Sequence, residues 1–397
     1  MSIFRRFVMR MLKETKLFSF LYIVYSRCLI AVLKLLFFRK TSKTVLFVSY
    51  GGKQISDSPK RIFDLMNNDP FFKDYDLIWG VLDTKKFSSQ GFNVVKMDSL
   101  KYFVTCLTSR VWITNSGIKR YTNVKGNHTF FVNTWHGIPM KKIGRDEVNV
   151  KKSPLFEKKW EEFADADVNV CCTEYDYRIL KHVFNAKAQS MRKIGLPRND
   201  SLYNQSININ QLKEKIGIPL DKKVILYAPT VRGNQTDFSG TNDFTVPIHL
   251  DLWKKYLPDY VILFRAHYFV TEIVESHSAS FIDVTKYPNL NELMQVSDLL
   301  ITDYSSLIFD YSILTKPIFC YAYDFSDYKK YQGIYEEDIN EKVPNFVTKE
   351  RQLIEQIGHL NLISEQNKTK KFCERYIGNH SGNSGKNLVS IIKDDLR

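Results

Sequence analysis

The sequence predicts an α/β protein in which a basic N-terminal segment precedes two Rossmann-like halves. Two observations predict the halves: short apolar runs alternate with amphipathic stretches from Thr44 onward, and the alternation resumes after a polar, Asn-rich interval near residues 204–215. We therefore expect a segment over 1–43 and two domains over 44–205 and 206–397. With 44% hydrophobic and 25% charged residues, the 397-residue chain has a globular composition, which excludes disordered and low-complexity classes.

Nine short apolar runs, separated by amphipathic stretches, predict the strands of the two halves. In the first half they are TVLFVSY at 44–50, DLIWGV at 76–81, VWITN at 111–115, TFFVN at 129–133 and VNVCC at 168–172. In the second half they are KVILYAP at 223–229, YVILFRAH at 260–267, DLLITD at 298–303 and PIFCYA at 317–322. We find no tandem repeat, which argues against a solenoid.

The N-terminal segment carries most of the positive charge of the chain. Residues 1–43 hold ten Lys or Arg and one acid, Glu14, which accounts for +9 of the formal +14. The apolar stretch 17–38 contains Arg27 and Lys34, and on a helix these cations share one side, opposite Phe, Leu, Ile and Tyr. This pattern favours a helix that lies in the interface of an anionic membrane. A helix that packs on the protein or on a second copy, and a helix that spans the bilayer, are the alternatives.

Several other classes of function are disfavoured by what the motifs lack. The remaining chain carries only +5, without interleaved aromatic and basic residues, so nucleic acid is not an expected partner. The six cysteines form no C-x-x-C pair and no spacing typical of a zinc site. We interpret Asp165-Ala166-Asp167 as the entry to a strand rather than as a metal-binding D-x-D motif. Walker A and G-x-G-x-x-G motifs are also absent, which argues against ATP hydrolysis and NAD chemistry. We expect neither a metal nor a cofactor.

Polar side chains follow four of the predicted strands, where ligands bind in open α/β sheets. They are His136 and Gly137, with Lys141 beyond them; Thr230 and Arg232; Arg265 and His267; and Asp303, Ser305 and Ser306. Histidine, arginine and hydroxyl groups can move a proton and neutralise phosphate charge without a metal. Together the four clusters favour phosphoryl transfer from a nucleotide-activated donor.

Two of these clusters have a structural interpretation as well as a functional one. Asp303, Ser305 or Ser306 would cap the helix predicted after them, or their hydroxyls and the helix dipole would bind a phosphate. His136, held between Trp135 and Gly137, is either a structural residue or a general base near neutral pH.

Five segments of the chain resemble the CDP-glycerol glycerophosphotransferases of teichoic acid and related capsule synthesis. They are NTWHGIPMKKIG at 133–144, IGLPRNDSL at 194–202, LYAPTVRG at 226–233, LFRAH at 263–267 and ITDYSSLIFDYSILTKPIFCYAYD at 301–324. The resemblance implies a GT-B-like fold, with two Rossmann-like domains that face each other across a cleft. It also implies transfer of a polyol phosphate from a CDP-polyol, with release of CMP.

The resemblance assigns roles to particular residues. It implies that His136 and His267 are the functional histidines of the chain. By the same motifs, the substrate-binding residues are Gly137, Lys141, Arg198, Asn199, Thr230, Arg232, Arg265, Asp303, Ser305, Ser306 and Asp310. The implied acceptor is an undecaprenyl-linked glycan, which places the chain at the cytoplasmic face of the membrane as a peripheral protein, attached through residues 1–40.

The substrate stays open at this point. Ile138, Ser58 and Tyr268 depart from the residues usual in the family, so CDP-ribitol remains an alternative donor and a capsular sugar an alternative acceptor. A UDP-sugar transferase of the same fold and a non-catalytic basic binding protein are the other candidates. The sequence does not count subunits, so self-association of the chain stays open as well.

Overall fold

The computed structural model describes residues 16–37, 42–119, 124–148, 160–204, 207–230, 248–265, 280–336 and 339–397. These residues divide into two compact units. The first unit comprises Met1–His136, Ile143–Asp200 and His380–Arg397, and the second comprises Gly137–Lys142 and Ser201–Asn379. The chain therefore returns to its first unit for its last 18 residues, which the single boundary expected near residue 205 did not include.

The first unit is built on one parallel sheet of seven strands in the order β3-β2-β1-β4-β5-β6-β7. The strands are β1 Ser42–Val48, β2 Asp76–Val81, β3 Val94–Lys96, β4 Ser109–Thr114, β5 Phe130–Asn133, β6 Val168–Cys171 and β7 Met191–Lys193. Central strands such as β1 and β4 are apolar on both faces, because helices cover both sides of a parallel sheet.

The second unit repeats this design with six parallel strands in the order β10-β9-β8-β11-β12-β13. They are β8 Lys223–Ala228, β9 Tyr260–Phe264, β10 Phe281–Asp283, β11 Leu299–Thr302, β12 Ile318–Tyr321 and β13 Phe346–Val347. Counted from the first strand of each unit, the order is 3-2-1-4-5-6 in the second unit, which is the Rossmann order, and the first unit has the same order with a seventh strand added after the sixth. The two Rossmann-like halves predicted from the sequence are confirmed at this level.

The described residues also form α-helices in both units. They are α1 Lys16–Phe37, α2 Asp57–Asn67, α3 Thr84–Ser88, α4 Leu100–Thr108, α5 Glu174–Phe184, α6 Ile209–Ile216, α7 Leu250–Tyr256, α8 Leu290–Val296, α9 Leu307–Ser312, α10 Phe325–Gln332, α11 Ile339–Lys342, α12 Glu350–Gly358, α13 Leu362–Tyr376 and α14 Ser384–Leu396. Polar residues begin several of them: the Ser99 hydroxyl accepts from Tyr102 N at α4, and Thr173 and Asp176 form a capping box at α5.

All nine predicted strands are present, and the four that the prediction missed are the edge strands β3, β7, β10 and β13. Each missed strand has only two or three residues. An edge strand pairs on one side only, so a short apolar run is not needed to form it. The run 260–267 was predicted to form one strand. In the structure this strand, β9, ends at Phe264, and residues 266 and 267 lie outside the described part of the chain.

Helix α1 packs one apolar side on the first unit and exposes another. Ile30 and Leu33 join the hydrophobic core beside α4, and Ile23 is also buried. Arg27 is exposed, whereas Lys34 is half-buried, and burial, followed by nearby Lys119, lowers the pKa of its ammonium group. The opposite side carries exposed apolar residues: Phe18, Leu21, Val24, Tyr25, Val32, Leu35 and Leu36. Within the described residues, we find no helix whose length and apolar content would let it cross a bilayer.

Candidate active site

Each sheet has one point at which the strand order reverses, between β1 and β4 in the first unit and between β8 and β11 in the second. At such a switch point the loops that follow the two strands diverge, and ligands bind in the crevice between them. The residues after these four strands, and the side chains bonded to them, are therefore the ones whose geometry bears on function.

In the first unit, side chains after β4 hold the loop that follows β1. Tyr50 N donates to Asn115 Oδ1 at 2.9 Å, and Gly51 N donates to Ser116 Oγ at 2.8 Å. Gly51 and Gly52 have φ values of 61° and 79°, in the left-handed region that glycine enters without strain. The glycines thus let the loop turn sharply enough for its N–H groups to reach across the switch point.

His136 lies three residues beyond Asn133, the last residue of β5. Its ring is held by Asn115, the residue that also accepts from Tyr50 N. Its Nδ1 lies 2.6 Å from the backbone oxygen of Asn115. A carbonyl oxygen only accepts, so Nδ1 carries the proton and Nε2 is the unprotonated nitrogen of the neutral ring. The rings of Trp135 and Tyr50 lie 4.0 Å and 5.8 Å from the imidazole, centroid to centroid. This arrangement suits a general base.

A buried ion pair supports the backbone of His136. Arg198 Nη1 donates to the His136 oxygen at 2.6 Å and to Asp57 Oδ2 at 3.1 Å, and the Tyr50 hydroxyl donates to the same carboxylate oxygen at 2.6 Å. Burial alone would raise the pKa of Asp57, but Arg198, the Tyr50 hydroxyl and Ser58 N outweigh it and hold that pKa below its usual value. Asp57 is therefore a carboxylate at neutral pH.

Backbone strain is concentrated in this network. Tyr50, Asp57 and Trp135 have φ values of 47°, 65° and 52°, a region that non-glycine residues rarely enter. Such residues cost about 1–3 kcal/mol each and persist only where the surroundings hold them. Here each is part of, or adjacent to, the set of bonds that reaches His136.

The P-R-N-D motif lies beside the network, and its members have different neighbours. Arg198 meets Asp57, whereas Asp200 accepts from Ser384 N at 3.0 Å and Gly385 N at 3.1 Å at the start of α14. Asn199 is buried. The motif therefore joins the support of His136 to the docking of the C-terminal helix. The predicted contacts of Arg198 and Asn199 with substrate stay predictions.

At the switch point of the second unit, the loops after β8 and β11 meet at Asp303. Thr230 donates its backbone N–H to Asp303 Oδ1 at 2.9 Å and its hydroxyl to the same oxygen at 2.5 Å, and Tyr304 N donates there at 2.7 Å. The Asp303 side chain is buried, and Thr230 is half-buried. Asp303 thus positions Thr230 after β8, and the N-cap position of the helix after β11 belongs to Ser306.

The start of α9 is capped by a neighbouring hydroxyl. Ser305 Oγ accepts from Leu307 N at 3.2 Å, while Ser306 occupies the N-cap position without a side-chain bond to the helix. The capping interpretation of this motif therefore holds for Ser305. Asp310 is buried in α9. Phosphate binding by Ser305 and Ser306, and a substrate contact by Asp310, stay predictions.

The structure shows contacts for two more of the predicted substrate-binding residues, Arg265 and Lys141. Arg265 Nη1 donates to Tyr287 O at 2.8 Å and Val284 O at 3.2 Å, so it holds the chain that follows β10. Lys141 forms an antiparallel bridge with Ile334 inside the second unit, and Gly137 has a φ of 143°. Arg232 and His267 lie outside the described residues.

The sequence-based search missed Tyr50, Asp57 and Asn115. Tyr50 and Asn115 stand at the ends of two predicted strands, so the strand-end rule, applied to all nine strands, would have found them. Asp57 carries no such signal because it meets Arg198 from 141 positions away. Across the part of the chain that the structure describes, no three His, Cys, Asp or Glu side chains are grouped so as to hold a metal ion.

Comparison with known proteins gives consistent matches over most of the chain. The family described as CDP-Glycerol:Poly(glycerophosphate) glycerophosphotransferase matches residues 30–394. A teichoic acid poly(glycerol phosphate) polymerase of Staphylococcus epidermidis is 32% identical over 89% of this chain, and a teichoic acid glycerol-phosphate transferase of Staphylococcus aureus is 35% identical over 72% of it. The chain spans about half (51%) of the first relative and 75% of the second.

A solved structure matches as well. It is the wall teichoic acid polymerase TagF, in a histidine-to-asparagine variant soaked with CDPG, with a TM-score of 0.81 and 30% identity. The match covers 92% of this chain and 93% of that one.

Proposed function

This chain belongs to the CDP-glycerol:poly(glycerophosphate) glycerophosphotransferase family, and from that membership we propose that it transfers glycerol phosphate from CDP-glycerol to a hydroxyl of a membrane-lipid-linked glycan, releasing CMP. The observation that carries the proposal is His136, a ring at a switch point whose Nδ1 is committed to Asn115 O. The product would belong to teichoic acid or a related cell-surface polymer.

In the proposed reaction, Nε2 of His136 takes the proton of the acceptor hydroxyl. The acceptor oxygen attacks the β-phosphorus, which bears the glycerol, and the bond from that phosphorus to the bridging oxygen breaks. CMP leaves with the bridging oxygen and its electron pair. Proton transfer by a positioned base contributes about 10²- to 10⁴-fold to such a reaction, and the remaining acceleration comes from holding the phosphates in line.

We assign the donor to the second unit. Asp303 fixes the position of Thr230, and the Ser305 and Ser306 hydroxyls stand at the start of α9, where phosphate oxygens find N–H and O–H donors. His267 and Arg232 are proposed donor contacts on the strength of the family motifs alone. Gly137, Lys141, Asn199, Arg265 and Asp310 complete the proposed substrate-binding set.

The domain roles follow from this assignment. We propose an acceptor-side domain over 44–205 and a CDP-polyol-binding domain over 206–397 in a GT-B-like organisation, with 380–397 packed on the first unit. Each domain would bring its own substrate to the reaction.

Attachment to the membrane is part of the proposal. The exposed apolar side of α1 is suited to enter the interface of the cytoplasmic leaflet, and the basic residues of 1–43 would be attracted to anionic lipids. Cosedimentation with anionic vesicles tests it. Replacing Leu21 and Leu35 together by Glu should abolish binding, while replacing Leu362 and Ile363, which are exposed apolar residues of α13, should leave it intact. Unchanged binding by the α1 variant would refute the attachment.

The reaction is tested by CMP release from CDP-glycerol, CDP-ribitol or a UDP-sugar, with and without a lipid-linked disaccharide. We expect CMP from CDP-glycerol only when the acceptor is present. His136→Ala should abolish release and retain donor binding, and His128→Ala, which removes an exposed histidine of the same unit, should match the wild type. CMP from CDP-ribitol alone would reassign the donor, and UDP or UMP as the only product would indicate a sugar transferase.

A further inference from the structure

In the proposed function His136 is the general base, and the role assigned below to its neighbours rests on that function. We propose that Asp57 and Arg198 are positioning residues for His136, which fix its backbone and balance the charge beside its ring. Neither residue comes from the end of β5, the strand that His136 follows. They reach it from α2 and from the segment after β7.

The bonds around His136 form a closed circuit. The ring is bonded to Asn115 O, and Asn115 Oδ1 accepts from Tyr50 N. The Tyr50 hydroxyl donates to Asp57, and Asp57 is paired with Arg198 at 3.1 Å. Arg198 then donates to His136 O, so the histidine is held at both its ring and its backbone. Side chains joined in this way move together, which limits the error in the position of Nε2.

The charged members of the circuit are also largely shielded from water. The side chains of Asp57 and Arg198 are 5% and 14% exposed, so their charges act on the ring with little screening. The strained backbone conformations of Tyr50, Asp57 and Trp135 also lie in or next to this circuit. A carboxylate and a guanidinium that only stabilised the fold would not require three strained residues around one histidine.

The charges predict opposite effects of two substitutions. The titratable or charged groups that face His136 from the described segments packed on it include Tyr50, Asp57 and Arg198. Asp57→Asn leaves the positive charge of Arg198 uncompensated, which disfavours the protonated imidazole. Arg198→Gln leaves the carboxylate uncompensated, which favours it. The pair therefore sets the pH at which the base becomes available.

The experiment compares pH profiles of kcat/KM for CMP release. In Asp57→Asn we expect the acidic limb to move to lower pH by roughly half a unit, and in Arg198→Gln to higher pH by a similar amount. In both, kcat should fall about tenfold or more because the ring is less well held. Asp64→Asn, which removes a half-exposed carboxylate from the same helix α2, should change neither quantity.

A second readout does not depend on turnover. The midpoint of the His136 titration, followed by NMR of labelled histidine and assigned with His136→Ala, should shift in the same two directions. If the wild type releases no CMP but these midpoints shift, the proposed function fails and the positioning role stands. Unmoved midpoints, or limbs that move in the same direction in both variants, would overturn the positioning role whatever the activity.

Folding of the variants needs its own check because Asp57 is buried. Tyr50→Phe removes only the hydroxyl that donates to Asp57 and keeps the ring beside His136. If Asp57→Asn does not fold, Tyr50→Phe should still lower kcat by about threefold, the effect of one weakened bond in the circuit. Wild-type kcat in folded Tyr50→Phe would overturn the circuit.

Discussion

At the switch point of the first sheet, the loops after β1 and β4 are joined by bonds that lead to an imidazole. At the switch point of the second sheet, the loops after β8 and β11 meet at the carboxylate of Asp303. In the first unit the buried acid, Asp57, has Arg198 as its counter-ion. In the second, the buried acid, Asp303, accepts from Thr230 and from Tyr304 N. The same strand order thus holds the ring of His136 in one unit and the Thr230 side chain in the other, since topology sets where a site forms and side chains set what it does.

The largest expected effect comes from removing the carboxylate of the second switch point. In Asp303→Asn, an NH₂ group would face one or more of the donors on Thr230 and Tyr304, so the free energy of unfolding of the second unit should fall by about 2–4 kcal/mol. Urea denaturation followed by circular dichroism measures it. Asp327→Asn, at an exposed position on α10, is the control. A loss no larger than that of the control would contradict the buried role of Asp303.

A smaller effect is expected where the C-terminal helix joins the first unit. A Cβ added to Gly385 would lie 2.8 Å from Asp200 Oδ2 and 2.7 Å from Leu65 Cδ1. Gly385→Ala should therefore cost about 1–3 kcal/mol of stability. In Gly358→Ala, at the end of α12, a Cβ would meet nothing within 4 Å and should stabilise by about 0.5–1 kcal/mol. Equal melting temperatures for the two variants would refute this difference.

The pH dependence of the free energy of unfolding at acidic pH should distinguish Asp57 from other acidic residues. Its pKa is lowered in the folded state, so its contribution to stability is present above the unfolded value of 3.8 and is lost as pH falls through the folded value. Asp176 has the opposite sign, because burial raises its pKa to about 6. Urea midpoints between pH 3 and pH 5 should thus depend less steeply on pH in Asp57→Asn than in the wild type. A slope as steep as that of the wild type would show that Asp57 is not the acid responsible.

The smallest effect is expected at the start of α9. Ser305→Ala removes one bond to Leu307 N and should lower the stability of the second unit by about 0.5–1 kcal/mol. Ser306→Ala removes no bond between its side chain and the helix and should be near neutral for stability. If these hydroxyls bind donor phosphate, both variants should raise KM for CDP-glycerol. If KM for CDP-glycerol rises in neither variant, these hydroxyls do not bind donor phosphate, and the capping role of Ser305 is the one that remains.

Much of the fold follows from local pattern, and the exceptions have a common cause. The nine central runs were predictable because a strand covered on both faces needs continuous apolar residues. The edge strands β3, β7, β10 and β13 were not, because two or three residues with one partner need no such pattern. Among the site residues, His136 follows β5 as expected, whereas the role of Arg198 depends on Asp57, which no local signal connects with it.

The sequence by itself determined the two Rossmann-like halves, the family, and the position of His136, because periodicity and motifs are local properties of the chain. Only the tertiary structure decided which nitrogen of His136 carries the proton, which acid pairs with Arg198, and that Asp200 receives the N–H groups of α14. Each of these depends on hydrogen bonds between residues from 21 to 185 positions apart. Folding brings such residues together, and their contacts are the ones that set charge and orientation at the candidate active site.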